Sequence, residues 1–233
     1  MILTPTGQGD FGMDQCNEPL RPEGVVKDQI SEMESLRLPA DFRAKLSKDQ
    51  INSLPINRWN GEIHLINSDA AVDEAVARLQ RESVLGFDTE TKPVFRKGVT
   101  HNPCILQLAG ARDVTVFQLK LLKNLDPIAK ILSNSKILKV GVGLVNDIDQ
   151  LQPVIPFTHG GFIDLGSLAR SANIQSRGLR SMAARFFGFR ISKRAQCSNW
   201  EVKQLKKFQI QYAATDAWVS REIYQILNRQ GLT

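Results

Sequence analysis

Acidic side chains occur at three places in the sequence where the local pattern predicts the end of a strand or the face of a helix. The first is Phe87-Asp88-Thr89-Glu90-Thr91, which ends an apolar strand beginning at Val84. Side chains alternate along a strand, so Asp88 and Glu90 project to the same face. Two carboxylates on one face repel each other unless water solvates them or a cation such as Mg²⁺ binds between them. An isolated pair of this kind is more often only solvated. Taken alone, this pair is therefore no more than a candidate for a metal site.

The second place is the segment Val140-Gly141-Val142-Gly143-Leu144-Val145-Asn146-Asp147, an apolar strand that leads into a helix. Asp147 is either a favourable charge in the first helical turn or a ligand. Asp149, two residues on, is the other acid in this helix, but it points to a different side, and we favour Asp147. A glycine-rich start with Asp164 about 20 residues later also resembles a dinucleotide-binding fingerprint, although Asn146 replaces its third glycine.

The third place is Tyr212-Ala213-Ala214-Thr215-Asp216 in a long helix near the end of the chain. A spacing of four residues puts the Tyr212 phenol and the Asp216 carboxylate on one helical face. The small residues Ala213, Ala214 and Ala217 allow this helix to approach a sheet closely. Taken alone, the tyrosine would be a core residue and the aspartate a solvated helix acid.

Composition excludes several classes of protein. The chain has 233 residues, 42% hydrophobic and 23% charged, which is typical of folded globular proteins. It contains no apolar run of the roughly 20 residues that span a bilayer, and its first 20 residues are acidic, unlike a presequence. We therefore expect no membrane association and a cytoplasmic, or in a eukaryote nuclear, location. The cysteines Cys16, Cys104 and Cys197 lack the spacing of a zinc site or a disulfide framework.

The net charge of +6 is concentrated in one part of the chain. Between Arg170 and Lys207, a segment that we call the basic arm, ten Lys and Arg residues accompany a single acid, Glu201. The remainder of the chain is slightly acidic. A basic surface of this kind favours a polyanionic partner such as nucleic acid.

The hydrophobic pattern predicts an extension at residues 1–45, with little periodicity, followed by one α/β domain at 46–233. In the domain, a short helix opened by Ser47, a strand over Glu62–Ile66 and a helix capped by Ser68 come first. The strand that carries Asp88 precedes a predicted hairpin of two short strands, and later strands alternate with helices. This order predicts a mixed sheet covered by helices.

FDTET, GVGLVND and YAATD, in this order, resemble the three motifs of the DEDD superfamily of 3′-5′ exonucleases. GVGLVND and the run CSNWEVKQLKKFQIQYAATDAW, from Cys197 to Trp218, are most similar to the group that contains ribonuclease D and the Werner-syndrome exonuclease. Tyr212, preceded by Gln211, is typical of the tyrosine branch. The resemblance covers Gly61 to about Asn228. It implies a ribonuclease H-like α/β fold, with five to six strands in a mixed sheet flanked by helices.

The resemblance also implies two divalent cations, Mg²⁺ or Mn²⁺, bound by Asp88, Glu90, Asp147 and Asp216. Asp88 would bridge both, Glu90 and Asp216 would complete the site that activates water, and Asp147 would hold the second through water. Tyr212 would orient the attacking water or help to deprotonate it. A phosphodiester is anionic, so attack by hydroxide requires cations beside the entering and the leaving oxygen.

For the substrate, the resemblance implies that Thr91 bonds the 3′-terminal hydroxyl and that Val94 wedges beside the last base, although Val94 is smaller than the usual leucine. The remaining candidate contacts are of two kinds. Trp200 either stacks on a base or anchors its loop to the core. Four basic side chains are candidates for phosphate contacts: Arg180, Arg185, Lys193 and Arg194.

The sequence thus predicts an exonuclease that releases nucleoside 5′-monophosphates from the 3′ end of a single strand or a recessed end. DNA is expected slightly ahead of RNA. The alternative is a catalytically inactive nucleic-acid-binding module on the same fold, which the intact set of four acids and Tyr212 disfavours. An oxidoreductase that binds a dinucleotide is a third hypothesis, and it rests on the imperfect glycine pattern alone.

Overall fold

The computed structural model describes residues 38–94 and 100–233, and within them six strands form one sheet. The strands are β1 Glu62–Ile66, β2 Val84–Glu90, β3 Ile105–Ala109, β4 Asp113–Gln118, β5 Leu138–Gly141 and β6 Phe162–Asp164. The α-helices are α1 Lys48–Ser53, α2 Val72–Leu79, α3 Asp126–Ser133, α4 Leu144–Leu151, α5 Leu165–Ser171, α6 Leu179–Phe187 and α7 Lys207–Arg229.

The sheet is mixed, as the sequence predicts. Its strand order is β1-β4-β3-β2-β5-β6. The central strands β2, β3 and β4 are antiparallel neighbours, whereas β1 runs parallel to β4, and β5 and β6 run parallel to β2. The predicted hairpin is the β3–β4 pair, closed by a bond from the Gly110 amide to the Asp113 carbonyl. The expectation of five to six strands is confirmed.

Helices cover both faces of the sheet because its strands carry apolar side chains on both. One core lies between the sheet and α5, α6 and α7, and includes Val140, Met182 and Ala217. The other lies between the sheet and α2, α3 and α4, and includes Phe87 and Leu108. The face covered by α7 also carries the acidic residues of β2, since Asp88 alternates with Phe87 along the strand. None of the described helices combines the length and the apolar composition that a membrane span requires.

Two predicted helix starts differ from the structure. Ser68 makes no side-chain capping bond, and a 3₁₀ turn at Asp69–Ala71 precedes α2. The Asp69 carboxylate instead accepts bonds from the Lys123 and Asn124 amides in the loop after β4. Helix α4, predicted to start near Asn146, begins at Leu144 because Gly143 adopts a left-handed backbone, with φ of 77°, at its N-cap.

The predicted extension at 1–45 lies outside the described residues except for 38–45, which contact the domain. The Arg185 guanidinium donates to the Ala44 carbonyl and pairs with Asp41 at 2.8 Å. The Arg43 side chain donates to the Ala172 carbonyl, and its own carbonyl accepts from the Gln175 amide. The segment just before α1 is therefore held against α5 and α6.

Candidate active site

A cleft of about 540 Å³ opens where β2 ends. Because β2, β5 and β6 are parallel, their carboxyl ends meet at one edge of the sheet, and acids in or after the ends of these strands collect there. Helix α7 crosses the same edge and contributes its own face. The cleft is lined by Asp88, Glu90, Arg180, Lys193, Tyr212 and Asp216, among others.

Three carboxylates come together in this cleft. Asp88, Glu90 and Asp216 each have a carboxylate oxygen within 4.8 Å of the other two. The contact depends on the close approach of α7 to β2: a Cβ atom at Gly86 would lie 1.9 Å from the Ala217 carbonyl oxygen. Glycine on the strand and alanine on the helix therefore bring Asp216 beside Asp88, two residues after Gly86, and confirm the predicted close approach.

Burial raises the pKa of every member of this cluster, and repulsion raises those of Asp88 and Glu90 further. Burial, then repulsion by Asp216 and Asp147, puts the pKa of Asp88 well above its usual range. Burial and the neighbouring carboxylates raise the pKa of Glu90 to about 10, and burial raises that of Asp216 to about 7. Such a group binds protons at neutral pH unless a cation balances its charge.

Asp147 approaches the cluster from α4 but lies outside the group of three. Its carboxylate accepts a hydrogen bond of 2.6 Å from the Thr89 hydroxyl, between Asp88 and Glu90 in β2. Burial raises the pKa of Asp147, and its charge in turn raises the pKa of Asp88 and of Glu90. Asp149, in contrast, is exposed. The geometry therefore favours Asp147 over Asp149, as the sequence does.

Asp164, which suggested a dinucleotide site, has a structural role here. One oxygen of its carboxylate accepts from the Gly143 and Leu144 amides, and the other accepts from the Ser167 amide at 2.7 Å. Burial alone would raise its pKa, but these backbone bonds outweigh burial and lower it. One side chain thus caps both α4 and α5, which leaves no oxygen of it poised for a ribose and disfavours the dinucleotide hypothesis.

Tyr212 and Trp200 pack beside the acids. A side-chain hydrogen bond joins Tyr212 to Asp216, and burial followed by repulsion from Asp216 and Glu90 raises the pKa of the phenol. The Tyr212 hydroxyl is therefore protonated at neutral pH. Trp200 is 1% exposed, with its ring 6.2 Å from that of Tyr212. No ring face of Trp200 is open to a base, which disfavours the stacking role and favours its alternative, an anchor to the core.

The four predicted phosphate contacts differ in their surroundings. Arg180 and Lys193 line the cleft, although the Arg180 guanidinium also donates to the Ile191 carbonyl and to Asn52. The side chain of Arg185 is only 9% exposed and is taken up by Ala44 and Asp41, which corrects its expected role. The Arg194 guanidinium lies over the Phe208 ring, 5.1 Å from its centre.

The predicted contacts to the 3′ end follow β2 directly. Thr91 is partly buried, and Val94 is 41% exposed, which is unusual for a large apolar side chain. Lys92, between them, pairs with Glu201 at 2.9 Å, and Lys120 pairs with the same carboxylate. The strand end is thereby tied to the segment before α7.

Sequence reasoning missed two residues that shape the site. Thr89 carries no chemical signal in the sequence beside its two acidic neighbours, although its hydroxyl binds Asp147. The position of Asp164 just before a predicted helix is typical of an N-cap, which is a sequence signal for its structural role.

The donor chemistry of the cluster fits a hard divalent cation. Its ligands are all carboxylate oxygens, the set that Mg²⁺ and Mn²⁺ prefer. Asp216 is 6% exposed, and its Oδ1 has no hydrogen-bond partner among the described residues. A buried anionic oxygen without a donor is costly, and a cation would satisfy it.

Comparison with known proteins places these features in a family. The family model described as a 3′-5′ exonuclease matches residues 63–231. The exonuclease mut-7 homologue of Homo sapiens is 32% identical over 225 residues, covering 82% of this chain and 25% of that protein. Ribonuclease D of Haemophilus influenzae is 26% identical over 169 residues, covering 71% of this chain and 41% of that protein. The chain therefore spans well under half the length of these relatives.

A solved structure supports the same conclusion. The EXO domain of Nibbler from Aedes aegypti superimposes with a TM-score of 0.68 at 25% identity, covering 75% of this chain and 92% of that one. Together with the six-stranded mixed sheet flanked by helices, this confirms the expected ribonuclease H-like fold.

Proposed function

Since this chain belongs to the 3′-5′ exonuclease family, we propose that it hydrolyses the terminal phosphodiester bond at the 3′ end of a nucleic-acid strand and releases a nucleoside 5′-monophosphate. The observation that carries the proposal is the convergence of Asp88, Glu90 and Asp216 within 4.8 Å, in a cleft that also holds Tyr212. We assign the activity to residues 46–233 and treat 1–45 as an extension.

Asp88, Glu90, Asp147 and Asp216 are proposed to hold two divalent cations, Mg²⁺ or Mn²⁺, which would stabilise charge on the entering and leaving oxygens. The charges of both Asp216 and Asp147 raise the pKa of Asp88, which supports its role as the shared ligand. Without cations these acids would bind protons at neutral pH and offer an anionic phosphate no positive charge, which supports a requirement for metal.

Tyr212 is proposed to orient the attacking water. Its bond to Asp216 puts the phenol beside a metal ligand, where a water molecule would bind. Of the two roles expected from the sequence, the geometry favours orientation, because a phenol in this acidic, buried setting keeps its proton.

The substrate is proposed to enter past Arg180 and Lys193, which lie in the same cleft as the acids. These side chains would neutralise backbone phosphates, while Thr91 and the exposed Val94 would meet the terminal nucleotide. The sequence favours DNA slightly. A curated relative is named ribonuclease D, so RNA is the necessary second substrate in any test.

The direct test is digestion of 5′-labelled strands by the purified chain with Mg²⁺ or Mn²⁺. Matched substrates are single-stranded DNA, DNA with a recessed 3′ end, and RNA of the same sequence. We expect products shortened stepwise from the 3′ end, none in EDTA, and none from Asp216→Asn. Faster digestion of RNA than of DNA would overturn the DNA preference but not the exonuclease.

The competing function is nucleic-acid binding without catalysis. It would be established by retention of the labelled strands in a binding assay together with no cleavage under either metal. Circular dichroism provides a control for folding. The spectrum of Asp216→Asn should match that of the wild type, because asparagine has nearly the same volume and relieves carboxylate repulsion.

A further inference from the structure

A buried glutamine lies directly across the sheet from one of the proposed metal ligands. Gln107 in β3 is the register partner of Asp88 in β2, and its exposure is 0%. Residues directly opposite each other in an antiparallel pair share a face, with Cβ atoms about 4.5–5.5 Å apart. The Gln107 side chain therefore leaves the sheet on the α7 side, next to that of Asp88.

Neither polar atom of this amide has a hydrogen-bond partner among the described residues. Leaving a buried donor or acceptor unpaired costs about 1–3 kcal/mol, so such groups are rare in folded proteins and each one needs an explanation. An unpaired carboxylate oxygen, Asp216 Oδ1, lies in the same cluster as Asp88.

A neighbouring glutamine shows what a purely structural amide looks like at this place. Gln118 in β4 lies on the same face and is also buried. Its Nε2 donates to the carbonyl groups of Val202 and Lys203, which ties β4 to the segment before α7. Gln107 has no such backbone acceptors. Its side chain leaves the sheet next to that of Asp88 instead.

We propose that Gln107 is a positioning residue of the metal site: with a cation bound, its otherwise unpaired Nε2 would donate a hydrogen bond to one oxygen of Asp88 and so direct the other oxygen at the cation. The proposal rests on the proposed function. It explains why a polar side chain occupies a position surrounded by apolar residues of the α7-side core. Groups that hold a metal ligand in place in this way typically contribute 10- to 100-fold to metal affinity.

The test is calorimetric titration of Mn²⁺ into the full chain without nucleic acid, comparing the wild type with Gln107→Met. Methionine keeps the volume and removes the donor. We expect the Kd for Mn²⁺ to rise by about 10- to 100-fold. The Tm should stay the same or rise, because an unpaired buried amide is removed.

Thr115→Val is the matched control. Thr115 is also 0% exposed with an unpaired hydroxyl, but it is the register partner of Leu108 and so lies on the opposite face. Its substitution should leave the Kd for Mn²⁺ unchanged. Gln107→Leu, measured at a temperature where circular dichroism shows the folded state, provides a second apolar replacement if methionine is not tolerated.

Two results would overturn the inference: an unchanged Kd in both Gln107 variants, or an equal loss of affinity in Thr115→Val. The proposed function fails separately. If the wild type itself binds no Mn²⁺ and behaves as Asp88→Asn does, the metal site is wrong, whereas normal binding by the wild type and by Gln107→Met removes only the role of Gln107.

Discussion

The acidic cluster combines three groups whose charged forms are disfavoured where they stand. Desolvation is the largest cause for Asp88, Glu90 and Asp216 alike, and the carboxylates repel one another as well. Perturbed acids of this kind concentrate at functional sites, because a fold gains nothing in stability from collecting them. Binding of a cation reverses the penalty, since positive charge favours the ionised form of each ligand.

Asp147 and Asp149 allow a direct comparison between two acids of the same helix. Asp147 bonds Thr89 beside the cluster, whereas Asp149 is exposed on the same helix. We expect Asp147→Asn to lower kcat by at least about 100-fold, the upper end of what an outer-shell partner of a metal contributes. Steady-state digestion of a labelled strand measures it.

Asp149→Asn is the control and should retain the activity of the wild type. Equal losses in the two variants would show that a change of helix charge, rather than a lost ligand, reduces the rate. A loss confined to Asp149→Asn would reverse the assignment of the second acidic motif.

Tyr212→Phe separates the hydroxyl from the ring. Phenylalanine retains the packing against Trp200 and removes the bond to Asp216. Misplacement of a reacting group costs about 10²-fold in rate, so we expect a fall in kcat of that order with KM little changed. Full activity in this variant, with its thermal stability preserved, would rule out a role for the phenol in the reaction.

Among the elements, α7 depends on its closest approach to β2. A methyl group at Gly86 would overlap the Ala217 backbone carbonyl, at 1.9 Å, and a backbone atom cannot rotate away. Gly86→Ala should therefore separate helix from strand, lower the free energy of unfolding by about 1–3 kcal/mol or more, and abolish nuclease activity.

Gly178→Ala is the matched substitution, since its Cβ would meet only the Ser181 hydroxyl at 3.7 Å. Urea unfolding of both variants measures the difference. A fully stable and active Gly86→Ala would mean that α7 has room to move without disturbing the acids.

Asp164 links the elements on the other side of the cleft. Its carboxylate caps α4 and α5, and the capping bonds lower its pKa below the usual 3.8. A group whose pKa is lowered by folding stabilises the protein fully above its unfolded pKa, and the contribution is lost as the pH falls through the folded value.

Asp164→Ala should therefore reduce the free energy of unfolding at pH 7 by about 0.5–2 kcal/mol, the range for removal of a capping side chain. The difference from the wild type should shrink below pH 3.8. Urea titrations at pH 7, 5 and 3 measure this. A difference that is constant with pH would show that the charge of Asp164 is not involved.

The whole molecule divides its charge between an acidic cleft and the basic arm, but the arm is not simply a surface for phosphates. Three of its arginines hold the chain before β1: Arg180 bonds Asn52, Arg185 bonds Asp41 and Ala44, and Arg190 bonds the Leu54 carbonyl. The basic arm thus also fastens residues 41–54 to the domain. Lys193 remains the exposed basic residue of the cleft with no such structural bond among the described contacts.

Lys193→Ala tests whether this lysine contacts a backbone phosphate of the substrate. If Lys193 meets one phosphate, binding of a single strand should weaken, and the slope of log K against log salt should fall by about 1. Titration of a labelled strand at several salt concentrations, with Asp216→Asn as background to prevent digestion, gives the slope. Lys136 is an exposed lysine at the edge of the sheet opposite the cleft, and Lys136→Ala should leave the slope unchanged. Identical slopes in the two variants would exclude a phosphate contact at Lys193.

Much of the domain was predictable because its signals are local. Alternation along β2 places Asp88 and Glu90 on one face, a spacing of four aligns Tyr212 with Asp216, and small residues mark the face of α7 that packs on the sheet. These patterns determine element type, the side that each acid faces and, through three motifs in order, the family.

Tertiary structure alone decided which partners those side chains meet. The pairing of Gln107 with Asp88, the double cap made by Asp164, the burial of Trp200 and the attachment of Arg185 to Asp41 all join residues far apart in the chain. Neither charge nor periodicity encodes such contacts, since an arginine that binds phosphate and one that binds a backbone carbonyl look alike in sequence. The difference arises only when the sheet forms and brings the two groups within hydrogen-bonding distance.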